Sequence, residues 1–200
     1  LNVPVNGVQI TTPFEKLEAE GGKYEEIKNA TKAGVDIKTD VTNDSDTEAT
    51  GVSVKSTVYN KEGDVVSTQT DDITVAAGKT ETISQSVDVA NPKLWSVDSP
   101  NLYWVRTEII QNGKVVDSTD SRFGIRYIAT DPNSGFYLNG VHTKLNGVCE
   151  HSDLGSLGME TYQAAVDRRI RTLKKYGVNA IRTSHNPVSP EFIEACDRLG

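Results

Sequence analysis

The stretch "GMETYQAAVDRRIRTLKKYGVNAIR", residues 158–182, is where the chain changes its repeat. Val166, Ile170 and Leu173 recur at i, i+4 and i+7, which is one face of a helix. Arginines and lysines crowd the last turn, where they complement the negative end of the helix dipole. Gly177 then supplies the C-terminal stop. The spacing predicts a helix from Gly158 to Tyr176, followed by a short buried-type strand, "VNAIR" (178–182). Ser189-Pro190 marks a second helix start, with Ser as the cap and Pro at the first helical position. Phe192, Ile193 and Cys196 give that helix an apolar side. On the N-terminal flank, "KLNGVCEH" (144–151) reads as another strand. Residues 143–200 therefore read strand, helix, strand, helix, which implies a parallel sheet with right-handed crossovers.

Upstream the period is two. Val35, Ile37, Thr39 and Val41 alternate with Asp36, Lys38 and Asp40, and Val52, Val54, Ser56 and Val58 repeat the pattern. "NKEGD" (60–64) turns the chain. Ile83, Gln85, Val87 and Val89 follow "AAGKT", and Tyr103, Val105, Thr107 and Ile109 run into Asn112-Gly113, a strong hairpin signal. About seven short strands over some 120 residues predict an immunoglobulin-like β-sandwich, without the cysteine pair of antibody-type domains. Trp95 is expected to be largely buried in it, at the entry to a late strand. The join between the two regions is expected in "RFGIRYIATDPNSGFYLNG" (122–140), giving domains over 1–126 and 127–200.

The chain has 200 residues, 36% of them hydrophobic, with a mean hydropathy of −0.44, as in a globular protein able to bury a core. No apolar run approaches a membrane span. "LNVPVNGVQ" has neither a basic n-region nor an apolar h-region, and no initiator Met precedes it, so the chain is expected to begin inside a longer protein. The net charge of −7 lies entirely in residues 1–126, because residues 127–200 carry 8 acidic and 8 basic side chains. An acidic first region without a basic stripe argues against nucleic acid and against an anionic membrane surface as partners.

In a parallel βα arrangement, ligands bind at the carboxyl ends of the strands. Glu150, His151 and Asp153 fall after the first of these strands, and Arg182, His185 and Asn186 after the second. All six are candidates for one cleft. The alternative is that they are merely solvated or capping residues, since βα loops are polar in general. Zinc held by Cys149, His151 and His185 would lack a second close-spaced ligand pair. "DSDTE" (44–48) is acidic like a calcium loop but lacks its glycine and its helices, and reads as a solvated turn. Asn29 and Asn43 each match the glycosylation acceptor pattern, a frequent chance match. Cys149 and His151 do not form a credible dyad, and both Cys149 and Cys196 are expected to be buried structural thiols.

Together, "NPKLWSVDSPNLYWVRTEI" (91–109), "RFGIRYI" (122–128), "GFYLNGVHTKLNGVCEH" (135–151) and "NAIRTSHNPVSPEFIEACDRLG" (179–200) resemble glycoside hydrolase family 2. That family holds β-galactosidases, β-glucuronidases and β-mannosidases. The resemblance implies a mainly β chain with an α/β part: an immunoglobulin-like sandwich followed by the first two βα units of an incomplete TIM barrel. It implies that His151 and His185 line a sugar subsite, with Asn186 nearby, and that Arg182 orients a nucleophilic carboxylate. Glu150 departs from the pattern, since many members have arginine before the histidine, and it is not assigned a catalytic role. The two catalytic glutamates of the family belong to later barrel strands. Glu150 and Asp153 would be a substitute pair only against that placement. The resemblance thus implies a retaining β-glycosidase, first of all a β-galactosidase, of which residues 1–200 are a catalytically silent segment. A non-catalytic β-sandwich module is the alternative. No cofactor is expected in the segment, with Mg or Na implied for the whole enzyme by resemblance alone. The expected partner is a carbohydrate, in a periplasmic or other extracytoplasmic bacterial setting. Two βα units cannot close a barrel of eight, so open strand edges predict self-association of the isolated segment.

Overall fold

The structure is a computed structural model that describes residues 1–13, 26–27, 30–185 and 187–200. Over these residues the chain forms two compact units. The first comprises 1–13, 30–93 and 102–125, and the second 26–27, 94–101 and 126–200.

The first unit is an immunoglobulin-like sandwich. In chain order its strands are β1 (Val8–Thr11), β2 (Lys32–Thr42), β3 (Ala49–Tyr59), β4 (Val65–Val75), β5 (Thr80–Ala90), β6 (Tyr103–Gln111) and β7 (Lys114–Phe123). One sheet has the order β1-β2-β5 and the other β4-β3-β6-β7, with antiparallel pairing throughout. The alternation seen in the sequence is the alternation of burial. Val35, Ile37, Thr39 and Val41 of β2 are fully enclosed, as are Val54, Ser56 and Val58 of β3 and Val105, Thr107 and Ile109 of β6. Val41 packs in one cluster with Val52, Val54, Val75 and Ile109, so the apolar faces of both sheets share a core. One polar bridge crosses it: Ser56 Oγ donates to Gln85 Oε1 at 2.7 Å, and Gln85 Nε2 donates to Val54 O at 3.1 Å and to Asp71 Oδ2 at 2.8 Å. Asn112 and Gly113 both have positive φ, 52° and 77°, which the two-residue turn between β6 and β7 requires.

The acidic turn after β2 is built on Asn43. Its Nδ2 donates to Thr47 O at 2.8 Å and Val75 O at 3.0 Å, and its Oδ1 accepts from Ser45 N and Oγ. At 1% exposure, that amide is inaccessible to glycan attachment. The other acceptor match, Asn29, lies outside the described residues.

The second unit opens with a meander of three short antiparallel strands, β8 (Ile128–Asp131), β9 (Gly135–Leu138) and β10 (Val141–His142). The sequence reading places only the join of the two regions here and assigns no strand to it. Its hairpins rest on Asp131 Oδ1, which accepts from Asn133 N, Ser134 N and Ser134 Oγ, and on Asn139-Gly140, again with two positive φ values. There follow β11 (Gly147–Glu150), α1 (Gln163–Lys175), β12 (Ala180–Thr183) and α2 (Pro190–Leu199), with β11 and β12 paired in parallel. Helix α1 begins five residues later than its periodicity suggests. Gly155 and Gly158 have φ of 62° and 64°, outside the helical region, and a single 3-10 turn occupies Gly155–Leu157. The helix ends as expected. Gly177 (φ 83°) donates its N–H to Lys174 O, and Val178 N–H bonds back to Leu173 O, a Schellman closure. Ser189 caps α2, its Oγ accepting from Phe192 N at 3.3 Å.

Val166 and Ile170 of α1 and Ala195 of α2 form the buried cluster that joins the helices to Ile181. Beside it, the Asp167 carboxylate accepts from Arg198 Nη2 at 2.6 Å and from Gln163 Nε2 at 2.8 Å, a charged tie between the helices.

Two expectations need correction. Trp95 is half-buried and lies in the second unit, not in the sandwich. Its Nε1 donates to Asp197 O at 2.7 Å, its carbonyl accepts from Asn139 Nδ2, and the Arg126 guanidinium sits 5.1 Å from its ring. An indole carries a donor that needs an acceptor, and the last turn of α2 offers one. Cys149 is exposed. Strand alternation turns Val148 and Glu150 inward and leaves Gly147 and Cys149 on the open face. Cys196 is partly buried against the α1–α2 cluster, and that burial, reinforced by the charge of Asp197, pushes its thiol up to about 11.

Candidate active site

Both histidines stand where a parallel sheet presents ligand-binding groups. The register pairs Gly147 with Ala180, Cys149 with Arg182 and Glu150 with Thr183, so β11 and β12 end level. His151 follows β11 directly, and His185 comes two residues beyond β12. Ser184 N donates to Glu150 O at 2.9 Å, which carries the pairing one step past the sheet. The two imidazoles consequently meet, with centroids 6.4 Å apart and planes inclined at 57°. Both are exposed.

His185 has φ of 62°, the left-handed region that a side chain enters at a cost of order 1 kcal/mol or more. Such positions are uncommon outside glycine and cluster at functional sites. Here the turn carries the His185 ring toward His151.

Arg182 lies within β12 with its side chain on the exposed face. Its Nε donates to Cys149 Sγ at 3.3 Å, the neighbour given by the register. The guanidinium and the two imidazoles thus occupy the same end of the same two strands. Asn186, the remaining sequence candidate, lies outside the described residues.

Glu150 and Asp153 are engaged elsewhere. Arg169 of α1 donates from Nη1 to Glu150 Oε2 at 2.8 Å, and its Nη2 lies 3.8 Å from Asp153 Oδ1. Glu150 therefore turns its carboxylate toward the helix. A cleft of about 270 Å³ opens beside this ion pair, lined among others by His151, Asp153, Thr161, Arg169 and Ser189. Arg169 escaped the sequence reading. The available signal was a cation flanking the apolar face of α1, on the helix that directly follows a strand ending in Glu.

Among the described residues, no group of three or more His, Cys, Asp and Glu side chains is placed to hold a metal ion.

In chemical terms, the ring nitrogens of the two imidazoles are hydrogen-bonding groups of the kind that a ligand with many hydroxyls requires. A guanidinium beside them favours the ionised form of a carboxylate brought near it.

Both regions of the chain match known proteins. The model of glycosyl hydrolases family 2 matches residues 23–126, and that of the family 2 TIM barrel domain matches residues 130–200. A β-galactosidase of Bacteroides ovatus is 39% identical over 169 residues, covering 84% of this chain and 20% of the relative. A β-glucuronidase of Bacteroides fragilis is 34% identical over 113 residues, 56% of this chain and 16% of the relative. Among solved structures, a glycosyl hydrolase family 2 member from Bacteroides cellulosilyticus superposes with a TM-score of 0.88 at 33% identity, over 100% of this chain and 26% of that one. A Bacteroides uniformis β-glucuronidase gives 0.84 at 28% identity, over 100% and 23%. The chain spans about a fifth of the length of these curated relatives. With a sandwich matched over 23–126 and βα units matched over 130–200, the chain belongs to glycosyl hydrolases family 2.

Proposed function

We propose that this chain is the sandwich and opening barrel segment of a retaining β-glycosidase that acts on a terminal β-linked sugar. The observation that carries the reading is the convergence of His151, His185 and Arg182 at the carboxyl ends of two parallel strands. In this reading the imidazoles bind sugar hydroxyls, and Arg182 orients the nucleophilic carboxylate and keeps it ionised. Retention requires an acid/base carboxyl and a nucleophilic carboxylate about 5 Å apart. Glu150 and Asp153 share Arg169, and in this reading the pair is supplied by later strands of the barrel, as the family resemblance implies.

For the sugar, we propose a β-galactoside. Support comes from the Bacteroides ovatus relative, a β-galactosidase, which is 39% identical over 84% of this chain. A β-glucuronide is the second reading, supported by the Bacteroides fragilis relative and the Bacteroides uniformis structure. The test is hydrolysis of aryl β-galactoside, β-glucuronide and β-mannoside by the full-length protein, with the anomer of the first-formed sugar followed by NMR. The expected result is fastest turnover of the galactoside with retained configuration. Fastest turnover of the glucuronide moves the assignment to the second reading. Inversion, or no hydrolysis of any of the three, contradicts the proposal.

A further inference from the structure

Arg169 lies beside the apolar face of α1, and its guanidinium reaches back to the strand that the helix follows. It bonds Glu150 at 2.8 Å and approaches Asp153 at 3.8 Å. These two acids bracket His151. The side chains of Arg169 and Glu150 are only 25% and 20% exposed, so solvent screens the pair less than an ordinary surface contact. The main chain of Glu150 is held too, since its carbonyl accepts from Ser184 N, the residue before His185. On the far side of His151, Asp153 N donates to His151 O at 2.8 Å. One guanidinium thus contacts the residues that flank His151, and the main chain of one of them, Glu150, is bonded to the residue before His185.

We propose that Arg169 is a positioning residue for the two-histidine subsite. In this role it acts through Glu150 and Asp153. It holds the residues on either side of His151 and, through the Glu150–Ser184 bond, sets where His185 begins. The planar fork of an arginine holds its donors in fixed directions toward two carboxylates, whereas the rotatable donors of a lysine are less preorganised. A misplacement of about 1 Å in a binding group is enough to cost about a hundred-fold in rate. The kinetic part of this inference rests on the glycosidase reading, and the structural part rests on the ion network alone.

The test uses the full-length enzyme. Arg169→Ala is expected to lower kcat/KM about ten-fold or more, and Arg169→Lys to lower it less. The reversed pair, Glu150→Arg with Arg169→Glu, is expected to recover part of the loss, since it restores the tie to position 150 in the opposite sense but not the one to Asp153. Amide exchange over residues 151–161 should quicken in Arg169→Ala and return toward the parental rate in the reversed pair, with the sandwich strands unchanged in both. Should Arg169→Ala fail to fold, Arg169→Lys and the reversed pair carry the decision. Parental kcat/KM in the folded variants, or no recovery in the reversed pair, overturns the proposal. So does unchanged exchange over 151–161. If the parental enzyme hydrolyses no glycoside, the functional reading falls while the exchange measurement still decides the role of Arg169.

Discussion

Val35, Val41, Val54 and Ile109 of the sandwich have no exposed surface and lie in strands of two sheets, whereas the buried cluster of the βα unit is small, Val166, Ile170 and Ala195. What the second unit lacks in apolar depth it replaces with charge. Arg198 reaches Asp167 between the helices, and Arg169 reaches Glu150 between helix and strand. Apolar burial is indifferent to pH, while ion pairs lose their partner when a carboxylate protonates. The difference teaches where sensitivity resides. The unit that carries the histidines is the one whose geometry depends on ionised groups, and binding elements are commonly drawn from the less stable part of a fold.

The largest expected effect separates the two kinds of packing. Ile109→Ala removes a fully buried side chain of the sandwich and should cost about 2–5 kcal/mol. Ile193→Ala, at a half-exposed position of α2, should stay within about 0.5 kcal/mol. Denaturant titration followed by hydrogen exchange in each unit measures both. Comparable losses at the two positions would erase the contrast.

Acid should divide the units next. Hydrogen bonds from Gln163 and Arg198, with the charges of Arg198 and Arg171, hold the Asp167 carboxyl below the usual carboxylate range. Its folded value is therefore depressed relative to the unfolded chain. The stabilisation is present above the unfolded value of about 4 and is lost as pH falls through the depressed folded value. Exchange protection of α1 and α2 should drop over that window while β2, β3 and β6 stay protected. Asp167→Asn should weaken the helices at neutral pH and flatten their acid response. Parallel loss in both units would show that the helices do not depend on this carboxylate. The surface pair Arg106–Asp120 on the sandwich is more exposed and should contribute little.

A smaller effect contrasts the two faces of the βα unit. Cys149 is exposed on the open side of the sheet, while Cys196 is partly buried and its thiol is pushed up to about 11. At pH 8, iodoacetamide should alkylate Cys149 well before Cys196, because the thiolate is the reactive form. Equal rates at the two thiols would contradict the assignment of faces.

Much of the architecture is legible in the chain. The alternation in 35–41, 52–58 and 103–109 is the alternation of buried side chains, and Ser189-Pro190 starts a helix as its chemistry dictates. The early start given to α1 fails because periodicity counts apolar residues and misses the positive φ at Gly155 and Gly158. The β8–β10 meander went unread because strands of four and two residues are too short for alternation to register, although Asn139-Gly140 announced one of its turns. Trp95 was misplaced because a bulky ring between strands looks like core, and the acceptor it needs is distant in sequence. At the site, the two histidines were visible as residues after strand ends. Their meeting depends on the parallel register and on the left-handed turn at His185, and neither is written in local spacing. Arg169 was hidden for a similar reason, since it pairs with a residue 19 positions away.

The central claim is that His151 and His185 form a sugar subsite, and kinetics of the full-length enzyme test it most directly. His151→Ala and His185→Ala should each reduce kcat/KM by about 1 kcal/mol of transition-state stabilisation or more, with the fold retained by circular dichroism and hydrogen exchange. Hydrogen bonds to sugar hydroxyls that strengthen in the transition state are the reason. Parental kcat/KM in both variants would contradict the account and leave the histidines as solvated loop residues.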